Sequence, residues 1–77
     1  MKELLMEIVK VLVDYPNDIC INEVVSQDGF ITLEITVNDS DVGKIIGKQG
    51  RIAKAIRTVI KSVAIKQNKR VSVEIMQ

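Results

Sequence analysis

The sequence has no tryptophan and no histidine, and Tyr15 and Phe30 are its only aromatic residues. A nucleic-acid surface built from rows of stacking aromatics, as in RRM and OB platforms, is thereby excluded. The single cysteine, Cys20, has no partner for an intrachain disulfide, and without histidine the Cys/His zinc sites have no ligand set. No cluster of positive charge surrounds Cys20 in the sequence to lower its pKa, so it is expected to be a buried structural thiol, in keeping with a reducing, cytoplasmic setting. Long apolar runs are also missing, and none approaches the roughly 20 residues of a membrane span. The opening segment from Lys2 to Val13 is interrupted by Glu3, Glu7 and Lys10 and is followed by no small-residue cleavage site, so it does not read as a signal peptide.

What is present is a chain rich in Ile, Val and Leu, 47% hydrophobic over 77 residues, which argues for a packed globule and against a disordered tail. The length suits one domain, residues 1–77, near the size at which a core only just outweighs chain entropy, so a partner or second copy would help it. The net charge of +1 hides a segregation: residues 1–41 carry nine acids against two lysines, whereas residues 42–77 carry nine cations against Glu74 alone. Such asymmetry points to a polyanionic partner for the basic half, the alternative being two solvated faces that attract each other across the fold.

Leu4, Leu5, Ile8, Val11 and Leu12 recur at helical spacing, predicting a one-sided helix that finishes near Asp14, because Pro16 biases Tyr15 away from helical dihedrals. Ile19–Gln27 and Phe30–Val37 read as strands joined through Asp28-Gly29, a hairpin-turn dipeptide. In the second of them Ile31, Leu33, Ile35 and Val37 share one face and Thr32, Glu34 and Thr36 the other, so one side of the sheet is covered and one is wet. Asp39, Ser40 and Asp41 offer capping oxygens for a short helix from Val42 to Ile46 that Gly47 breaks. After Gly50 a longer helix is expected with Ile52, Ile56, Val59, Ile60 and Val63 inward and Arg51, Lys54, Arg57, Lys61 and Lys66 outward. Gln67-Asn68 turns the chain into a last strand around Val71, Val73 and Ile75. The crossover implies parallel neighbours in a three-stranded mixed sheet with helices on one face. The apolar arc from Ile52 to Ala64 is wider than sheet packing needs, and Ala53, Ile60 and Ala64 at one edge of it, with Ile65 outside it, are expected to form a protein contact, homodimeric in kind.

Two glycines three positions apart between helices let a ligand approach the backbone closely. The unpaired N–H groups and positive dipole end of the second helix face the same spot, which suits a phosphate chain. Lys44, Lys48, Arg51 and Lys54 fall within about one turn of it, able to neutralise successive phosphates. A plain helix–turn–helix corner would use the same glycines. Enzymatic readings fail: the glycines complete neither a P-loop nor a G-x-G-x-x-G, and the carboxylates are scattered, so no catalysis, metal or cofactor is expected.

The string Ile45-Ile46-Gly47-Lys48-Gln49-Gly50-Arg51-Ile52-Ala53-Lys54-Ala55-Ile56 resembles the signature of the KH family, which is an apolar residue, Ile, then Gly-x-x-Gly, with apolar positions continuing into the next helix. Ile45, Ile46, Gly47, Gly50 and Ile56 match position by position. The match departs at Ala53, where a large aliphatic is usual. The helix–strand–strand–helix–helix–strand order resembles the bacterial type II arrangement over essentially the whole chain, and implies an α+β KH fold. The resemblance further implies that Gly47, Lys48, Gln49 and Gly50, with Arg51, clamp about four nucleotides of single-stranded RNA. Bases would then lie in a groove of Val42, Ile45, Ile46, Ile52 and Ile56. The strand Phe30–Val37 would read their edges, and Lys66–Arg70 would close the far wall. Single-stranded DNA stays open as a ligand. Small stand-alone members of the family are RNA-binding, self-associate and pair with a larger Jag-type KH protein, KhpB, implying post-transcriptional regulation and roles as an RNA chaperone and in cell shape. The competing reading is a protein-interaction or dimerisation module that keeps the KH shape with little RNA binding.

Overall fold

Leu5 and Val9, one helical turn apart, are fully buried and fix the face on which the first helix, α1 (Lys2–Lys10), lies. The structure, a computed structural model, describes residues 1–76; Gln77, the last residue of the one-domain reading, lies outside the described residues. Periodicity predicted a helix reaching Asp14, but α1 stops at Lys10. The α-helical pattern ends where Leu12 N–H turns to Val9 O (3.0 Å), and beyond it the buried carboxylate of Asp41 accepts the backbone N–H groups of Asp14 (3.1 Å) and Tyr15 (3.0 Å), so the helix does not resume. Pro16 then opens a single 3-10 turn, Pro16–Asp18.

Strand β1 (Cys20–Val25) pairs antiparallel with β2 (Ile31–Thr36), and β2 pairs parallel with β3 (Val71–Ile75), so β2 is central. The hairpin closes through Ser26, whose carbonyl accepts from Gly29 N–H (3.0 Å) and whose N–H donates to Phe30 O (2.9 Å). Alternation decides burial along these strands: Leu33 and Ile35 are buried in β2, Ile21 in β1 and Val73 in β3. Cys20, one residue before Ile21, therefore points to the uncovered face and is exposed, contrary to the expected buried thiol.

Between β2 and β3 run α2 (Val42–Ile46) and α3 (Arg51–Lys66), which pack with α1 on one face of the sheet; Ile45, Ile56 and Ile60 join the strand residues in a single core cluster. Asp39, Ser40 and Asp41 were expected to cap α2, but they form a 3-10 turn of their own, capped by Asn38 Oδ1 accepting from the Ser40 N–H at 2.9 Å, and α2 starts at Asp41 with no side-chain cap. A second correction concerns the face α3 presents. Ala53, Ile56, Ile60 and Ala64 are buried, while Val59 is 45% exposed. Of the predicted stripe Ile52, Ile56, Val59, Ile60 and Val63, Ile56 and Ile60 are buried, and the contact is turned by about 60° from the centre of that stripe. The small side chains of Ala53 and Ala64 let the helix settle on the sheet along that line. Ala53, Ile60 and Ala64 are consequently core residues and offer no surface to a protein partner; only Ile65 of that set is exposed. At its C-terminus α3 closes with Asn68 at φ 57° and Lys69 N–H donating to Ala64 O (2.8 Å), a Schellman arrangement.

Candidate nucleic-acid interface

The loop between α2 and α3 is shaped by four consecutive residues. Gly47 has φ 77° and ψ 174°, Gln49 φ 57° and ψ 26°, and Gly50 φ 73° and ψ 16°. The two glycines meet different demands. A Cβ on Gly47 would fall 2.4 Å from Ile52 Cγ1 and 2.9 Å from Ile52 N, because Ile52 folds back over it. At Gly50 nothing lies within 4 Å of the corresponding position, so that side of the loop is open to a ligand. Helix α3 starts at Gly50 with no side-chain cap and no acid in its first turn. Arg51 N–H donates to Lys48 O and Gly50 N–H to Gly47 O (3.2 Å), while the positive end of the α3 dipole lies beside the open backbone of Gly50.

Lys48, Gln49, Arg51 and Lys54 are exposed around this opening. Among the described residues, Lys48, Arg51 and Lys54 enter none of the ion pairs. Lys44 differs from them. Its ammonium is bound to Asp14 and lies 3.4 Å from Asp41 Oδ1, so it ties α2 to the segment after α1. The bond to Asp14 is the main reason its pKa is held above the ordinary value; burial opposes the shift and Asp41 adds to it. For Asp41 burial works to raise the pKa, but the N–H groups of Asp14 and Tyr15 together with Lys44 outweigh it and leave the carboxyl below its usual value.

The aliphatic groove is narrower than the sequence suggested. Ile45 and Ile56 are core residues, 0% and 4% exposed, and cannot touch a base. Val42 and Ile52 are half-buried against the core, and Ile46 is half-buried without belonging to it. Nor can the strand Phe30–Val37 read base edges in this groove. Its backbone is paired on both sides, by β1 and β3, while Leu33, Ile35 and Val37 lie in the core, Ile31 packs against it, and Thr32, Glu34 and Thr36 lie on the opposite face from the core. The strand beside α3 is β3, which pairs on one side only and so turns a free edge outward. There Arg57 Nε donates to Val73 O at 3.1 Å. Arg57 and this edge were missed as site elements. The signal available was the spacing of Lys54, Arg57 and Lys61, which sets them on one side of α3, and the direct passage from α3 into β3.

Two helices of unequal length on a three-stranded mixed sheet, joined by a Gly-x-x-Gly loop after the central strand, define a KH domain of the type II order. The family model described as KhpA/KhpB, KH domain, matches residues 2–75, and the chain belongs to that family. It is 59% identical to the RNA-binding protein KhpA of Clostridium perfringens over 76 residues, covering 99% of this chain and 100% of that protein. It is 52% identical to the RNA-binding protein KhpA of Chlamydia trachomatis over 77 residues, covering 100% of this chain and 97% of that protein. These relatives are named as RNA-binding proteins and the family is not an enzyme class. Among solved structures, Aquifex aeolicus Era bound to GDP and AlF4− matches with a TM-score of 0.61 at 24% identity, over 95% of this chain and 28% of that one, a likeness of fold. Among the described residues no helix is long and apolar enough to cross a membrane.

Proposed function

We propose that the protein binds single-stranded RNA, holding the phosphates of about four nucleotides on the loop Gly47-Lys48-Gln49-Gly50. One observation carries this reading: the start of α3, without a side-chain cap, sits beside the open Gly50 backbone, ringed by Lys48, Arg51 and Lys54, which have no carboxylate partner among the described residues. Cations and dipole there suit successive phosphates, which fix position. The bases turn toward Ile46 and Ile52 and toward the outer edge of β3, whose backbone N–H and C=O groups supply the sequence-reading contacts. Single-stranded DNA offers the same phosphates and is the natural competitor. The names of the relatives support RNA as the ligand, and family membership supports one KH unit acting in the cytoplasm in post-transcriptional regulation, with a second copy or the larger KhpB as protein partner.

Lys48→Asp/Gln49→Asp tests the reading. It sets two anions against phosphate and keeps both glycines, and Asp tolerates the left-handed conformation of position 49. With the fold confirmed by circular dichroism, the wild type should bind a mixed pool of short single-stranded RNAs in a salt-dependent way and the variant should not. Equal binding by both proteins, or none by either, would leave the protein-interaction module as the better reading.

A further inference from the structure

Strand β1 forms the other edge of the sheet: it pairs only with β2, and of its residues Ile21 alone is buried. Ile31 N–H donates to Arg70 O (2.9 Å) and Ile35 O accepts from Met76 N–H (2.8 Å), so the odd-numbered residues of β2 bond toward β3 and the even-numbered ones toward β1. Through the register, Cys20, Asn22 and Val24 take up those bonds, and the N–H and C=O groups of Ile21, Glu23 and Val25 point away from the sheet. Past Ile21 both faces of the strand are uncovered as well, leaving Val24 51% and Val25 57% exposed. A bare edge with two adjacent valines is a template for another strand.

Charge selects which strand. From Val11 to Gly43, a stretch that holds all of β1 and β2, the chain has seven acids and no lysine or arginine. On β1 itself Glu23 is exposed, and among the described residues it enters none of the ion pairs. Its neighbour across the ladder is Leu33, which offers it no charge. A second copy pairing antiparallel through β1 would bring two Glu23 carboxylates into one short stretch, where like charges are unfavourable. RNA is repelled from this edge by the same acids.

We propose that the outer edge of β1 takes up an extended basic peptide of a partner protein as a further strand of the sheet. The peptide backbone pairs with the outward groups of Ile21, Glu23 and Val25, a lysine or arginine on the helix side meets Glu23, and an apolar side chain covers Val24 or Val25. Because β1 and β3 are opposite edges, this peptide and an RNA on the α2–α3 loop do not compete for the same surface.

The test titrates two synthetic peptides of about eight residues, one alternating valine with lysine and the other valine with glutamate, into the isotopically labelled protein. The lysine peptide is expected to shift the β1 amides and to slow hydrogen exchange at Ile21, Glu23 and Val25, leaving Asn22 and Val24, already bonded to β2, unchanged. The glutamate peptide should do neither. Val25→Pro deletes an outward N–H and spares the β2 ladder, and should weaken the lysine peptide roughly fivefold. Glu23→Lys should weaken it by about fivefold or more and guards against a fold effect of the proline; circular dichroism and RNA binding should be unchanged in it. Weakening by Glu23→Lys without the alternating protection would mean loose electrostatic adsorption and overturn strand addition, as would equal binding of both peptides or of neither. Shifts of the same amides on raising protein concentration alone, or on adding RNA, would assign the edge to a second copy or to RNA and overturn the basic peptide. Absence of RNA binding at the loop leaves this edge standing, so the two readings fail separately.

Discussion

A side chain at position 47 would have to displace Ile52, whose Cγ1 lies 2.4 Å from the place a Cβ would occupy, in a backbone conformation open to glycine alone. Gly47→Ala should therefore lower stability by about 3 kcal/mol, measured by urea unfolding. Gly50→Ala meets open space and only the left-handed penalty, so its cost should be about 1 kcal/mol; the same loss in both variants would contradict the division of roles. Gln49 adopts the left-handed conformation with a side chain attached. Gln49→Gly should stabilise the protein by about 0.5 kcal/mol, seen as a shift of the urea midpoint at unchanged slope. Evidently the loop keeps a strained side chain at its tip, in the segment proposed to meet phosphate. The motif in the sequence showed where both glycines were needed, but it could not show that one answers to Ile52 and the other to open space.

Between elements, the contact with the longest reach is the carboxylate of Asp41. It holds the chain after α1, anchors α2 through Lys44 and is fully buried. Its folded pKa lies below the ordinary 3.8, so the stability it supplies is present above that value and is lost as pH falls through the lower folded value. The raised pKa of Lys44 acts in the opposite direction. Its contribution is full below the ordinary 10.5 and fades as pH rises through the higher folded value. Stability should accordingly hold between these limits and fall outside them. Asp41→Ala should lower Tm by on the order of 10 °C and flatten the acid limb of a Tm against pH plot. An acid limb unchanged in the variant would show that other carboxylates govern it. The end of α1 was illegible in the sequence because local periodicity continues to Leu12, whereas the residue that holds the chain out of the helix at Asp14 lies 27 positions beyond it. The face of α3 was misread for a related reason: with apolar side chains around more than half of the helix, the small residues Ala53 and Ala64 selected the line of contact.

Over the whole molecule, element order, the parallel pairing of β2 with β3 and the placement of the helices on one face were all legible, because the strand alternation and the crossover length each admit few solutions. The site was legible at its loop and less so in its groove. Spacing identifies residues near Gly47 and Gly50, but it does not show that Ile45 and Ile56 are sealed in the core or that Lys44 is paired. The charge segregation supplies the molecular-scale expectation. If about four phosphates are neutralised, log K should fall against log salt with a slope of about −3, read from fluorescence-polarisation titrations at several salt concentrations. The most direct measurement is a titration of isotopically labelled protein with short single-stranded RNA, following backbone amide chemical shifts. The proposed grip predicts shifts concentrated at Gly47–Lys54 and along Val71–Ile75, with the uncovered sheet face around Asn22 and Glu34 silent. Shifts confined to that face, or none at saturating RNA, would contradict it.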